Sequence, residues 1–259
     1  MPDNPPLIHT ESFSVPPIEC DFNQEWKPSA ILQHLTEIAG THAAKLGVGF
    51  DDMLALNLFW IHSRMRLKFV STPRANEQVT VRTWPKTIYR RLLYIRDFEV
   101  LGETGQRLVS ASSAWVIINT LTRRMAPPKA VNLNIPEVHI PIDQDEPLER
   151  LDLASNGQER LRLRAAYSAV DLVGHVNNSR YVEWACDAFP IELFRQKRLD
   201  FLQINYEHEV LPGEEVAILV NPVGEDTSLW AVEGRNLSNA TSAFQALLRW
   251  KEAPSISQK

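Results

Sequence analysis

Cysteine is scarce: the 259 residues hold two, Cys20 and Cys186. They lie far apart and in no metal-ligand spacing, so a C-x-x-C site is excluded and a reducing compartment fits. The ten glycines form neither a phosphate-cradling loop nor a G-x-S-x-G elbow. The seven histidines include no H-E-x-x-H pair. No apolar run reaches the roughly 18 residues of a membrane span. Basic excess is also missing, with 27 Lys and Arg against 32 Asp and Glu and a net charge of −5. A chain built to neutralise nucleic-acid phosphates is thereby excluded, and any basic docking patch must be local. The opening "MPDNPPLIHTESFSVPP" lacks the charged start and apolar run of a signal peptide and is not Arg-rich. The expectation is a cytoplasmic protein that neither binds nucleic acid nor inserts into a membrane.

What is present is an apolar fraction of 44%, enough to fill a real core. Residues 27–47 place Ile31, Leu32, Leu35, Ile38, Ala39, Ala43 and Leu46 at helical spacing, with Ser29 as cap and Gly47 as stop. Strands are predicted at 58–70, 78–87, 90–100 and 107–119, the last two joined by "GETG". A stretch rich in Pro, Asn and acids follows and reads as a linker. The expected organisation is therefore a unit over 1–130, a linker over 131–157 and a second unit over 158–259. The second unit repeats the order: the strand "RLRAAYSAV", a helix from about Asn178 to Phe194, then strands at 199–210, 214–222, 228–237 and 241–251. Repeated order suggests internal duplication. "DFNQEW" (21–26) lies on "DLVGHV" (171–176), and "FVSTPRANEQV" (69–79) on "YEHEVLPGEEV" (206–216). Glu25 then matches His175, and Thr72 matches Glu209, so a catalytic half is expected to be the second.

The stretch "DLVGHVNNSRYVEW" (171–184) has two readings. Asp171, Gly174 and Asn177 are ordinary turn and helix-cap chemistry. Equally, His175 precedes a helix N-terminus, whose amides at Val176 and Asn177 could hold an oxyanion, and Asp171 could orient the imidazole. In "INYEHEV", strand alternation predicts Glu207 and Glu209 on one face and His208, a structural residue, on the other. His34 and His42 read as satisfied helix residues. Cys186 reads as a small buried hydrophobe rather than a nucleophile.

Four segments, "NLFWIHSRMRLKFVSTPRANEQVTVRTWP", "GETGQRLVSASSAWVIINTLTRRMAPP", "GHVNNSRYVEWACD" and "INYEHEVLPGEEV", occur in an order that resembles the acyl-[acyl carrier protein] thioesterases of bacteria and plant plastids. The likeness runs from about residue 8 to 252. It implies an α+β fold of tandem hotdogs, each antiparallel sheet wrapping a long helix, and hydrolysis of fatty acyl-carrier-protein thioesters by water without metal or redox cofactor. It carries the family's catalytic residues onto Asp171, His175 and Glu209. The hypothesis is that Glu209, helped by His175, activates water, that Asp171 positions the site, and that the helix start at Val176, Asn177 and Asn178 holds the oxyanion; making Asp171 the base or nucleophile is the alternative. Two positions depart from the family: Val173 stands where its Asp-x-Asn-x-His pattern has Asn, and Val210 stands where plant members have Cys, so a Cys-His mechanism is excluded there. The first unit is expected to select chain length through an apolar tunnel lined by its helix and first long strand. The acidic carrier protein is the expected partner, docking on Arg64, Arg66, Lys68, Arg90, Arg91, Arg123 and Arg124, of which strand alternation forbids all pointing together. A homodimer, an acyl-CoA thioesterase and a non-catalytic acyl-binding hotdog stay open.

Overall fold

The computed structural model describes residues 6–131, 133–142, 146–153 and 156–253. The chain divides into two units, Met1–Glu149 and Arg150–Lys259. Residues 132, 143–145 and 154–155 of the expected linker lie outside the described residues.

Unit 1 runs β1 (His9–Ser14), α1 (Pro28–Lys45), α2 (Phe50–Ala55), β2 (Leu58–Phe69), β3 (Gln78–Tyr89), β4 (Leu93–Leu101), β5 (Arg107–Asn119), β6 (Arg124–Met125) and α3 (Pro128–Val131). Its antiparallel sheet has the order β1-β3-β4-β5-β2, with β6 paired to β5. The helix forms where the apolar period predicts, and it packs against β1 and β3. It buries Ile31, Leu32, Leu35, Ile38 and Ala39; truncating a residue such as Leu35 to Ala costs about 2–5 kcal/mol. Ser29 is not its cap. Pro28 opens the helix with a preset φ and no amide to satisfy, so Ser29 falls inside the first turn. Gly47, at φ 71°, ends it in the left-handed region that glycine tolerates best.

The expected linker is partly strapped to unit 1. Arg66 donates to the Glu146 and Pro147 carbonyls and Arg64 to that of Leu148. Leu148 is buried with Leu93, Ile95 and Ala114.

Unit 2 runs β7 (Gln158–Arg164), α4 (Asn178–Asp187), α5 (Ile191–Gln196), β8 (Lys197–Tyr206), β9 (Glu215–Val223), β10 (Asp226–Asn236) and β11 (Ser242–Glu252). Its antiparallel sheet has the order β8-β11-β10-β9-β7, with α4 packed on β10. The single helix expected to Phe194 is two, because Pro190 caps α5 and supplies no amide to continue α4. The strand expected to reach residue 210 stops at Tyr206: both the Glu207 and His208 amides turn to one acceptor, the Ala243 carbonyl.

The duplication is written in matched backbone bonds. The Asp21 amide donates to the Glu25 carbonyl at 2.8 Å, and Asp171 to His175 at 2.9 Å. Trp26 donates to Pro73 at 2.8 Å, and Val176 to Val210 at 3.0 Å. Lys27 donates to Glu19 at 3.1 Å, and Asn177 to Ala169 at 2.9 Å. The Arg74 amide meets the Glu77 carboxylate at 2.8 Å, and Leu211 meets Glu214 at 2.7 Å. Gln24 and Gly174 share a left-handed corner at φ 62° and 85°, and Asn76 and Gly213 another at 65° and 88°. Every pair keeps the register of the sequence overlay or its continuation, so each unit folds the same two loops beside its first helix.

Candidate active site

In unit 2 those two loops bring His175 and Glu209 together. The His175 Nε2 lies 3.2 Å from the Glu209 Oε2, hydrogen-bond distance for a nitrogen and a carboxylate. The side chains are 31% and 58% exposed, so water reaches both. Neither bond partner exists in unit 1, where the same positions hold Glu25 and Thr72. The His–Glu pair is thus confined to unit 2 by residue type, on a backbone the two halves share.

Asp171 takes part in the turn chemistry of its stretch. Its Oδ1 accepts the Val173 amide at 3.0 Å and its Oδ2 faces the Asn177 Nδ2 at 3.5 Å. Asp21 does the same in unit 1, its Oδ1 accepting the Asn23 and Glu25 amides at 2.8 and 3.0 Å. A carboxylate kept in both copies closes the same turn in each. The partner the geometry gives His175 is Glu209. The overlay also sharpens the Val173 departure: its match is Asn23, whose Nδ2 donates to the Asp21 Oδ2 at 3.3 Å. The Asp-x-Asn pattern therefore survives in unit 1 and is broken in unit 2.

The oxyanion expectation needs correction at two of its three residues. The Val176 amide is spent on the Val210 carbonyl and the Asn177 amide on that of Ala169, so neither points to a free acceptor. Asn177 caps α4, its Oδ1 accepting the Ser179 amide at 2.9 Å. Asn178 is the first residue of α4, where the helix leaves amides without intrahelical partners.

Glu207 and Glu209 lie beyond the end of β8, so strand alternation does not place them on one face. Glu207 is held by Arg150, whose Nε donates to its Oε1 at 3.1 Å. The His208 Nδ1 meets the Ser242 carbonyl oxygen at 2.8 Å. The Cys186 thiol is pushed up to about 12 by burial, with Asp187 and Glu183 adding to the shift, so it stays protonated and a poor nucleophile at neutral pH. Among the described residues no three His, Cys, Asp or Glu side chains gather into a metal-holding group.

Of the basic residues expected to dock a carrier, Arg66 is excluded: it is 4% exposed and holds the 146–147 carbonyls. Arg64 and Lys68 are half-buried on β2. Arg90 and Arg91 stand exposed in the β3–β4 turn, and Arg123 and Arg124 at the β5–β6 turn.

Comparison with known proteins identifies the family. Family models match residues 6–130, as the acyl-ACP thioesterase N-terminal domain, and 154–252, as the C-terminal domain. The chain is 28% identical over 270 residues to the chloroplastic palmitoyl-acyl carrier protein thioesterase of Arabidopsis thaliana, covering 96% of this chain and 62% of that protein. It is 27% identical to the oleoyl enzyme of Coriandrum sativum, covering 93% and 69%. The chain thus spans about three-fifths of the length of the first of these curated relatives. An acyl-ACP thioesterase structure from Bacteroides thetaiotaomicron superposes with a TM-score of 0.85 at 30% identity, covering 94% of this chain and 98% of that one. The 12:0-ACP thioesterase of Umbellularia californica shares the fold, with a TM-score of 0.80 at 22% identity over 96% and 98% of the chains. The two halves are tandem hotdogs, and the chain belongs to the acyl-ACP thioesterase family.

Proposed function

We propose that this chain hydrolyses fatty acyl-[acyl carrier protein] thioesters to free fatty acid and carrier-protein thiol. The observation that carries the reading is the His175–Glu209 pair at 3.2 Å, beside the start of α4, in a member of this family. Glu209, polarised by the imidazole, accepts a proton from water as the oxygen attacks the thioester carbonyl. The tetrahedral oxyanion is met by the Asn178 amide, a contribution of about 3 kcal/mol for one well-aimed donor. Collapse breaks the C–S bond, and the proton returns through His175 to the leaving sulfur. Asp171 acts on this chemistry through the turn that presents His175, as a positioning group. No cofactor enters the scheme.

The carrier protein is the proposed partner, docking through the exposed pairs Arg90, Arg91 and Arg123, Arg124; these exposed cations suit an acidic surface. The proposed location is the cytoplasm. No helix of the described residues is long and apolar enough to cross a membrane. The test is thiol release from a panel of medium- and long-chain acyl-carrier-protein thioesters beside the matching CoA thioesters. The reading predicts a higher kcat/KM on the carrier-bound set; equal or greater turnover of CoA thioesters overturns the carrier assignment, and no turnover of either by folded protein overturns the activity.

A further inference from the structure

Glu209 sits on a loop outside any strand, more than half exposed, and the site needs its carboxylate at one place. The residue after it is tied down. Val210 is fully buried and bonded on both sides of its peptide unit. Its carbonyl accepts the Val176 amide at 3.0 Å, and its amide donates to the Tyr181 hydroxyl oxygen at 3.2 Å. Tyr181 is itself immobilised: 2% exposed, stacked on Phe244 at 5.2 Å and edge-on to Trp184 at 5.5 Å. Gly234 makes room for that stack, since a Cβ there would lie 2.0 Å from the Phe244 ring.

Unit 1 supplies the control. Its matching loop keeps the carbonyl bond, from Trp26 to Pro73, and loses the other. Pro73 stands where Val210 does and has no amide to donate; Ile31 stands where Tyr181 does, fully buried, and has no hydroxyl to accept. Donor and acceptor are both present in the unit that carries Glu209 and His175, and both absent in the unit that carries Thr72 and Glu25. A bond needed merely to fold the loop would be needed twice.

We propose that Tyr181 is a positioning residue for catalysis, its hydroxyl fixing the Val210 amide and so holding the Glu209 carboxylate on His175. The inference rests on the proposed role of Glu209, and an unsatisfied buried amide is the physical penalty when the hydroxyl is removed. Small displacements of a reacting group cost large factors in rate.

The test is Tyr181→Phe, which keeps the ring and its stacking, measured beside Val210→Pro, which imports the residue unit 1 uses. Each is predicted to lower kcat about tenfold, equivalent to about 1.4 kcal/mol, with KM within about twofold of the wild type. In a Glu209→Gln background Tyr181→Phe is predicted to add no further loss. A wild-type kcat in both variants overturns the proposal, as does the same tenfold loss with and without Glu209, which would mark a general structural role. If Glu209→Gln alone retains full turnover, the proposed water activation fails, and that result is read independently of the Tyr181 variants. Failure of Val210→Pro to fold leaves Tyr181→Phe, which introduces no backbone restriction, to decide.

Discussion

Restoring the amide that unit 2 lacks is a direct test of the internal equivalence. Val173→Asn places at residue 173 the side chain that Asn23 carries in unit 1, where its Nδ2 reaches the Asp21 Oδ2 at 3.3 Å. The receiving atom, the Asp171 Oδ2, has only the 3.5 Å approach of Asn177. A hydrogen bond to a charged group contributes about 1.5–3 kcal/mol when sheltered. Val173 is 40% exposed, so water competes and the gain falls to about 0.5–1 kcal/mol. Losing the valine costs little, because much of it is already in water. For a chain of this size the gain corresponds to about 2 °C in Tm. A firmer turn presents His175 more uniformly, and kcat is predicted to rise about twofold. Calorimetry and thiol release on one carrier-protein thioester measure both. A lower Tm together with a lower kcat would refute the equivalence of the two turns.

Acid sensitivity should follow His42, whose Nδ1 accepts from Arg96 at 3.0 Å and whose Nε2 donates to the Pro6 carbonyl at 2.8 Å. Burial, with lesser effects of the Arg96, His9 and Lys45 charges, depresses it to about 4. The unfolded chain binds this proton near pH 6.5 and the folded chain only near 4, so stability is lost as pH falls through that window, by about 2 kcal/mol at pH 4.5. Asp97, raised by burial, gains stability on acidification, but it does so equally in wild type and variant. His42→Gln is therefore predicted to lose about 2 kcal/mol less than wild type between pH 7 and 4.5 in urea titrations; equal losses would contradict the assignment. Arg66→Met is predicted to lower stability by about 2 kcal/mol, through the lost bonds to the 146–147 carbonyls, without changing the salt dependence of kcat/KM. Arg90→Ala with Arg91→Ala should leave Tm unchanged and flatten that salt dependence; the opposite pattern would return Arg66 to the docking surface.

Much of this architecture was legible because the burial pattern is periodic. Ile31, Leu32, Leu35, Ile38 and Ala39 announce α1, and alternation with β-branched and aromatic content announces β2 to β5 and β8 to β11. The partner of His175 was legible through the family resemblance, which carries a catalytic Glu onto Glu209, while the overlay showed that unit 1 has Thr72 there. What escaped depends on tertiary bonds. The alternation of "INYEHEV" continues on paper past Tyr206, whereas the chain turns when Glu207 and His208 both seek the Ala243 carbonyl. The amides of Val176 and Asn177 look free at a helix start until the Val210 and Ala169 carbonyls claim them. Arg66 reads as surface charge because sequence does not reveal that the 146–148 segment covers its face of β2. The Tyr181–Val210 bond had a signal, the Ile31 and Pro73 pair in the other copy, visible only once the loops are matched bond by bond.

The central claim is that the Glu209 carboxylate, set against His175, activates water for thioester hydrolysis. The most direct measurement compares thiol release by wild type and Glu209→Gln on the best carrier-protein thioester, with substrate affinity and Tm measured on the same preparations. The account predicts that kcat falls by at least about a hundredfold, within the range lost with a general base, while affinity and Tm stay near wild type. Full turnover by folded Glu209→Gln would contradict it and leave Asp171 or His175 alone to activate the water.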